Sequence, residues 1–370
     1  MNSMDIAGEN FNVSDLGAEA AFLQVYAPRK DDISTHLVVL RTIFIAVDSV
    51  FTILSNLFCI WVIYRTPTLS DSAKVFMIAL AAADFSVGVI AAFSVVPAAT
   101  GNWFWGEGLC RATAALVTIF CLASVSFLVC LSVDRMIAVK KSLHYPNIMT
   151  RKKAVVITVG VCVASVAAIG GSWLLSPPVL YSNVSATCAW KWNNDHIIYA
   201  CVISLCFFIL PSSVLIVMYW IMFKISRKHT RMIANQAPVP TTSRDVVTQQ
   251  PQRAAPQLPQ GEHKAIKMFC VITIAFTVAW LPYSVAILYS SIQNVPVPQW
   301  LGFLVTWGAL SNSWFNVIIY VCMNGALRET ACRLLRNQKC RRFARCCNKS
   351  RAAVVNAPQS HNDQAYDITS

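Results

Sequence analysis

The stretch Leu109–Val139, LCRATAALVTIFCLASVSFLVCLSVDRMIAV, decides the fold of this chain. Apart from one arginine near its start, it carries no charge before Asp134 and Arg135. A helix of about 20 apolar residues is long enough to cross about 30 Å of hydrocarbon. Charges at the end of such a helix are costly unless they are paired or reach water. The adjacent Asp134 and Arg135 therefore indicate a functional site at one end of a membrane helix.

The composition of the whole chain agrees with a membrane protein. Of its 370 residues, 56% are hydrophobic and 13% are charged, and the mean hydropathy is +0.54. Soluble domains carry about 25% charged residues. Most of the 14 cysteines lie in apolar runs, without the paired spacing of a zinc site. With no HExxH motif either, we expect no enzyme and no cofactor.

Six further runs have the length of a membrane helix. We place the seven segments at 37–64, 73–97, 109–139, 154–177, 196–225, 264–290 and 299–323. Several contain a proline, such as Pro211 and Pro282, which neighbouring helices can accommodate within a bilayer. The sequence shows neither the internal repeats nor the Gly-rich broken helices of a transporter. The pattern predicts an all-α bundle of seven transmembrane helices.

The distribution of Lys and Arg predicts the orientation. With the N-terminus outside, 25 of the 30 basic residues fall inside the cell. The five on the outer face are Arg29, Lys30, Arg41, Arg111 and Lys191. We therefore expect a plasma-membrane protein with its C-terminus in the cytoplasm. The net charge of +13 is a signal for topology and for lipid headgroups, so nucleic acid is not an expected partner.

The remaining chain divides into tails and one long loop. Residues 1–36 form an extracellular tail, and residues 37–323 form the seven-helix domain. The Pro/Gln/Thr-rich inner loop 226–262 is predicted to be disordered. Residues 324–337 are predicted to form an amphipathic eighth helix on the inner leaflet, and residues 338–370 form a cytoplasmic tail.

Sequence motifs predict two kinds of covalent modification. The sequons at Asn12 and Asn183 both fall on the predicted outer face, where they can be glycosylated. Cys340, Cys346 and Cys347 follow the amphipathic helix among basic residues. Palmitoylation of these three cysteines is plausible, and free cytosolic thiols are the alternative.

Punctuating residues recur in order through the seven segments. The markers are Asn56, Asp84, Cys110, Asp134-Arg135, Trp173, Cys188, Pro211, Trp280 and Asn316–Tyr320. Together they resemble the rhodopsin-like (class A) G-protein-coupled receptors, over roughly residues 37–337. The resemblance implies that an extracellular ligand signal reaches a heterotrimeric G protein through outward movement of segment six. Arrestin and a receptor kinase are further implied partners.

The same resemblance implies a disulfide bond and an ion site. Cys110 and Cys188 both lie on the predicted outer face, where the environment is oxidising, and the family joins this pair. An allosteric sodium ion is implied at Asp84, Ser124, Asn312 and Asn316. The alternative at this site is a hydrogen-bonded packing network around a protonated Asp84.

The resemblance also assigns residues to activation and to G-protein coupling. They are Asp134, Arg135, Leu143, Tyr219, Glu262, Phe276, Trp280 and Tyr320. Glu262, twenty residues before Pro282, is expected to pair with Arg135 and hold segment six closed; a solvated loop charge is the alternative. Leu143 is expected to contact the partner, and a buried loop anchor is the alternative.

The expected ligand cavity is apolar and aromatic with a few hydroxyl groups. Its predicted lining is Val117, Thr118, Cys121, Trp190, Ser204, Phe207, Trp280, Tyr283, Thr306 and Leu310. Val117 stands where amine receptors carry an aspartate, and Leu310 stands where visual pigments carry the retinal lysine. We therefore expect a neutral or weakly polar small ligand. Asp48 is an unexplained acid that could serve a ligand or pair with Arg41.

One departure from the family pattern leaves a second function open. Val317 stands where the family nearly always has a proline in segment seven. A helix without that proline regains a backbone donor and is straighter. Because this bears on activation, the alternative function is a receptor-like protein that acts without ligand, either constitutively or as a dimer partner.

Overall fold

A computed structural model describes residues 34–141, 143–171, 177–235 and 260–335. Its helices confirm the predicted all-α architecture. Segments one to seven span Thr35–Tyr64, Asp71–Ala92 with Val95–Thr100, Glu107–Lys140, Arg151–Gly171, Ile197–Ser204 with Leu210–Asn235, Gln260–Gln293 and Gln299–Met323. Most of the predicted boundaries lie within a few residues of these.

Segment seven carries several polar residues near its middle. Within the described ranges, six helices, those of segments one to six, are long and apolar enough to cross a membrane. The 25-residue helix of segment seven is long enough, but it carries Asn312, Ser313 and Asn316 near its middle. All three side chains are buried. Segment seven therefore turns its polar residues toward the bundle interior, as intramembrane polar groups must.

Two segments depart from regular helix where the sequence predicts a single continuous span. Segment two is interrupted at Phe93 and Ser94, before the short helix Val95–Thr100. Segment five contains a π-helical turn at Leu205–Ile209, directly before Pro211. Proline lacks a backbone donor, and π-turns inside α-helices are frequent at functional sites.

The boundaries of the long loop differ from the prediction. The helix of segment five continues to Asn235, and the helix of segment six begins at Gln260. The predicted disordered loop 226–262 is therefore wrong at both margins, because each helix extends past its apolar run. The predictions for the following positions lie outside the described residues: Asn12, Trp173, 236–259, Cys340, Cys346 and Cys347.

A β-hairpin that the sequence did not predict lies between segments four and five. Strand β1, Val179–Ser182, pairs antiparallel with strand β2, Thr187–Trp190. In this register Tyr181 lies opposite Cys188. The turn between the strands ends at Ala186, which has a φ of 57° and is 1% exposed. A loop tip this deeply buried must be docked against the helices.

Segment three lies at the centre of the bundle. It packs against segments two, four, five and six and against both strands, whereas segment one packs against segments two and seven. Phe127, Leu128 and Leu131 on its lower half are fully buried. We call the two ends of the bundle the Cys110 end and the Arg135 end, after the residues near either terminus of this helix.

A last short helix lies across the Arg135 end. It spans Gly325–Leu334 and packs against segments one and seven. The Asn324 side chain accepts hydrogen bonds from the backbone N–H groups of Ala326 and Leu327, at 3.0 and 3.3 Å, and so caps its first turn. Leu327 and Ala331 are buried on one face, in agreement with the predicted amphipathic pattern.

Candidate functional site

A cavity at the Cys110 end collects the whole predicted ligand lining. Its volume is about 100 Å³, and it lies between segments two, three, five, six and seven and strand β2. The predicted residues found in its wall are Val117, Thr118, Cys121, Trp190, Ser204, Phe207, Trp280, Tyr283, Thr306 and Leu310. Among the described residues that line the cavity, none carries a charge.

Aromatic rings and two polar groups form the wall toward segments five and six. The ring of Trp280 lies 6.3 Å from Phe276, 6.1 Å from Phe207 and 6.0 Å from Tyr283, measured between centroids. The Trp280 indole N–H and the Ser204 hydroxyl are buried without a hydrogen-bond partner among the described residues. Since buried polar groups are costly when unpaired, a ligand that bonds to these two groups gains affinity.

Strand β2 covers this cavity and is joined to segment three by a disulfide bond. Cys110 and Cys188 are bonded, with their Cα atoms 5.4 Å apart. Cys188 and Trp190 both line the cavity from above. The Trp190 indole N–H lies 3.4 Å from the Thr118 hydroxyl of segment three, as a weak hydrogen bond. The predicted pairing thus places the hairpin directly over the cavity.

The far end of the hairpin is held by segments one and seven. The Arg41 guanidinium donates to the backbone carbonyls of Asn183 and Val184 and lies 4.9 Å from the ring centre of Phe303. The Trp307 indole N–H donates to the carbonyl of Ser185 at 2.8 Å. The hairpin therefore spans the bundle mouth from segment three to segments one and seven.

The alternative pairing of Arg41 with Asp48 is wrong. Arg41 is directed to the hairpin, and Asp48 accepts hydrogen bonds from Ser311 and Trp314 of segment seven. Seven residues along a helix separate two side chains by about 10 Å, so each finds a nearer partner. Asp48 is also absent from the cavity wall, where the sequence had left a ligand role open.

The phenol of Tyr181 on strand β1 fixes the hairpin to segment two. It donates to the Pro97 carbonyl at 2.8 Å. Burial raises the pKa of Tyr181 to about 12, although the nearby Arg41 guanidinium opposes this. The phenol is therefore protonated and able to donate at physiological pH.

A second cavity of about 290 Å³ adjoins the first. It lies between the hairpin and the ends of segments six and seven, and it shares Trp190, Tyr283 and Thr306 with the first cavity. Among its described lining residues, Lys191 is the one charged residue. Together the two cavities offer an uncharged interior with a single cation at its margin.

The buried carboxylate of Asp84 lies at the middle of the bundle. It is 0% exposed and accepts hydrogen bonds from the Ser124 hydroxyl at 2.7 Å and from the Asn316 amide at 3.2 Å. The side-chain amide oxygen of Asn312 is buried without a hydrogen-bond partner among the described residues. These oxygen donors fit a hard monovalent cation. No cluster of three His, Cys, Asp or Glu side chains exists in the described ranges.

At the other end of segment three, Arg135 lies in a cluster of hydroxyl groups. Its guanidinium donates to Asp134 at 2.5 and 2.9 Å, to Ser70 at 2.5 Å and to the Tyr145 phenol oxygen at 3.0 Å. The Tyr145 hydroxyl donates to Asp134 at 2.8 Å, and Ser72 donates to the same carboxylate oxygen at 2.8 Å. Asp134, which is 0% exposed, is thus fully paired.

Among the described side chains, Tyr219 and Tyr320, two further predicted switch residues, make no hydrogen bond to Arg135. The side chain of Glu262, in the first turn of segment six, lies outside the described residues. Tyr219 stacks on Phe223 with ring centres 6.1 Å apart. Tyr320 is buried, and its hydroxyl has no partner among the described residues. The expected pair between Arg135 and Glu262 therefore remains a prediction.

Leu143 stands out on the surface of the Arg135 end. Its side chain is 90% exposed, so the alternative of a buried loop anchor is wrong. It borders an open cavity of about 650 Å³ together with Lys140, Lys141 and Lys153. A single exposed apolar side chain is ordinary on a protein surface, so the contact of Leu143 with a partner remains a prediction.

Comparison with known proteins identifies the family. Residues 55–320 match the family described as 7 transmembrane receptor (rhodopsin family). The chain belongs to this family. It is a G-protein-coupled receptor, a multi-pass membrane protein and not an enzyme.

Relatives of this receptor are about 30% identical to it over three quarters of the chain. Trace amine-associated receptor 9 of Mus musculus is 30% identical over 75% of this chain and 78% of its own length. Trace amine-associated receptor 9 of Rattus norvegicus is 29% identical over 75% of this chain and 81% of its own. Trace amine-associated receptor 6 of Pan troglodytes is 28% identical over 74% and 78%. These alignments reach well beyond any single motif.

Sequence reasoning missed three members of the receptor's arginine cluster. Ser70 and Ser72 lie at the start of segment two, and Tyr145 lies in the loop helix Tyr145–Ile148. Hydroxyl residues at helix starts are common, so Ser70 and Ser72 gave no distinct signal. The sequence signal at Tyr145 was an aromatic residue with a polar tip in an otherwise basic loop.

We expect Tyr145→Phe to raise ligand-independent signalling of this receptor several-fold. Burial raises the pKa of Tyr145, so its hydroxyl is protonated and donates to Asp134. The variant loses this hydrogen bond and the one from Arg135, and each is worth about 1 kcal/mol, which is roughly a fivefold change in an equilibrium. Basal nucleotide exchange at matched surface expression measures this, with Tyr64→Phe on an exposed tyrosine as control. Equal basal exchange in both variants would contradict the role.

Proposed function

We propose that this receptor binds a neutral or weakly polar small molecule in the cavity at its Cys110 end. The observation that carries the proposal is the uncharged lining of that cavity, from Val117 in segment three to Leu310 in segment seven. The unpaired Trp280 and Ser204 donors suit a ligand with one or two acceptor groups. Ligand binding in this cavity would transmit a signal to a heterotrimeric G protein at the Arg135 end.

The names of the relatives suggest amines as a competing ligand class. A protonated amine in an apolar cavity needs a paired carboxylate, because an unpaired buried charge is strongly disfavoured. No acid lines the cavity among the described residues. The position where amine receptors carry an aspartate is occupied by Val117. A neutral ligand is therefore the better supported class for this receptor.

The orientation belongs to the same proposal. The Cys110 end would face outward and the Arg135 end the cytoplasm, supported by the 25 of 30 basic residues assigned to the inner side. A tag placed before Met1 should stain on intact cells, and a tag after Ser370 should stain after permeabilisation only. Glycosylation at Asn183 also needs this orientation, and that half-buried residue lies in the hairpin turn.

Activation would open the Arg135 end. Segment six would move outward once Arg135 exchanges its hydroxyl cluster for a partner, with Tyr219 and Tyr320 turning inward beside it. A Glu262 pair would oppose that movement, and Phe276 and Trp280 would couple it to the cavity. The exposed Leu143 would contact the G protein, and arrestin and a receptor kinase would compete for the same end.

A sodium ion at Asp84 is the proposed allosteric modulator. Asp84, Ser124, Asn312 and Asn316 would hold it, and the ion would neutralise the buried carboxylate. We expect sodium chloride to raise the melting temperature of the purified receptor by a few degrees over N-methylglucamine chloride. Asp84→Asn should abolish the difference, whereas the exposed Asp71→Asn should retain it. A sodium effect that survives Asp84→Asn would contradict this site.

A library screen with a G-protein-dissociation readout tests the whole proposal. Receptor-expressing cells should respond to neutral compounds, and Arg135→Ala should abolish the response while leaving ligand binding in place. Val317 favours the second candidate, a receptor active without ligand. High basal signalling that Arg135→Ala removes, with no responding compound, would support that candidate and overturn the first.

A further inference from the structure

One buried carboxylate lies outside both the ligand cavity and the arginine cluster. Asp48, midway along segment one, is 7% exposed. Its Oδ1 atom accepts two hydrogen bonds from segment seven, from the Ser311 hydroxyl at 2.7 Å and from the Trp314 indole N–H at 2.8 Å. An acid inside a membrane is costly, so its retention beside specific donors indicates a function.

Segment seven is held from two opposite sides. On one side, the Asp84 carboxylate of segment two accepts a hydrogen bond from the Asn316 amide at 3.2 Å. A helix turns 100° per residue, so the side that carries Ser311 and Trp314 lies roughly 150° from the side that carries Asn312 and Asn316. Rotation of segment seven in either direction therefore breaks a hydrogen bond to one of two carboxylates.

The contact of Asp48 with Trp314 is reinforced by ring packing. Phe51 lies one helical turn beyond Asp48 and meets the Trp314 ring edge to face, with centroids 5.1 Å apart. Phe315 also packs edge to face against Trp314, with centroids 4.2 Å apart. Because two rings pack against that of Trp314, its N–H is held in position to donate to Asp48.

The contact lies between the cavity and the buried end of segment seven. Ala309 and Leu310 line the ligand cavity, and Tyr320 lies nearer the Arg135 end on the same helix. Val317 replaces a residue that would have bent the helix between them. A regular helix transmits a rotation along its length, so a contact at Trp314 sets the direction of every side chain on it.

We propose that Asp48 is a positioning residue that fixes the rotation of segment seven in this receptor. It acts through one acceptor oxygen, because both hydrogen bonds end on Oδ1. An amide at this position keeps that acceptor, whereas an aliphatic side chain removes it. The inference deepens the proposed function, since segment seven joins the cavity to the Asp84 site, but its structural test needs neither a ligand nor a G protein.

Hydrogen–deuterium exchange of the full receptor in lipid nanodiscs tests the proposal. We expect Asp48→Leu to accelerate exchange in peptides covering 311–320 by about fivefold or more, because both hydrogen bonds are lost and one alone is worth about fivefold. Asp48→Asn should stay within about twofold of the parent, because its Oδ1 accepts the same two bonds. Ser49→Ala is the matched control, since that buried hydroxyl has no partner among the described residues.

A second pair of variants keeps the proposal testable if Asp48→Leu fails to fold. Trp314→Phe keeps the ring and removes the donor, and Ser311→Ala removes the other donor. Each should accelerate exchange in the same peptides, and Trp314→Phe combined with Asp48→Leu should add nothing to the larger single effect. Parent-like exchange in Asp48→Leu, or equally fast exchange in Asp48→Asn, would overturn the proposal.

Signalling separates this proposal from the proposed function. Basal nucleotide exchange of Asp48→Leu should rise with the rotation it permits and return to the parent level in Asp48→Asn. Faster deuterium exchange without any signalling in the parent or variants would count against the receptor function and leave the positioning role standing. Unchanged deuterium exchange would count against the positioning role alone.

Discussion

Replacing Val117 with aspartate is expected to give this receptor a response to a protonated aromatic amine. The new carboxylate would stand in the wall of a cavity where the described lining carries no charge. A charge-assisted hydrogen bond is worth about 1.5–3 kcal/mol, so affinity should rise by about 10- to 150-fold. The dose of 2-phenylethylamine that triggers G-protein dissociation measures the gain.

Val117→Asn is the matched control for the amine experiment. Asparagine has the shape of aspartate without its charge, so it should leave the amine response at the parent level. An equal gain in both variants would mean that polarity alone decides binding. No gain in an aspartate variant that reaches the surface would mean that the cavity shape, and not the missing carboxylate, excludes amines. In either case the cavity would have a different basis for selectivity from the one proposed.

Loss of the Cys110–Cys188 bond is expected to cost the receptor about 2–4 kcal/mol of stability. The bond joins residues 78 apart in the sequence and anchors the hairpin at segment three. A free chain of that length would lose more entropy on closure, but the membrane helices already restrict the ends. Cys110→Ser should lower both the melting temperature in detergent and the amount of receptor at the cell surface.

A second cysteine variant and a control test this explanation. The double variant Cys110→Ser/Cys188→Ser should have the same melting temperature as the single variants, because one bond is lost in each case. Cys162→Ser removes an exposed, free cysteine of segment four, and this variant should have the melting temperature of the parent receptor. A double variant that is markedly less stable than either single would show that the cysteines contribute separately rather than through their bond.

The sequence predicted the features that follow from the bilayer or from the family pattern. A spanning helix needs an uncharged run of at least about 20 residues, and the run found at 109–139 ends within two residues of the helix Glu107–Lys140. The resemblance placed Val117 and Leu310 in the cavity wall because family positions keep their depth along the helix. Val117 and Leu310 line the same cavity although they lie on segments three and seven, which no local pattern encodes.

Other features needed coordinates because their partners are distant in sequence. Asp48 and Trp314 are 266 residues apart, and nothing near Asp48 indicates segment seven as its neighbour. The strands of the hairpin have four residues each, too few for the alternation of buried and exposed positions to be recognised. The docking of Arg41 on the turn at Asn183 depends on that hairpin, so it was equally hidden.

The polar interior of segment seven has a consequence for biogenesis. The other six segments are apolar enough to enter the bilayer on their own, but Asn312, Ser313 and Asn316 make the last one costly to insert alone. Asn316 and Ser313 have partners on segments synthesised earlier. The Asn316 amide donates to Asp84 of segment two, and the Asn56 amide of segment one donates to the Ser313 carbonyl. We therefore expect the last helix to insert against helices already in place, with its polar side chains paired to segments one and two.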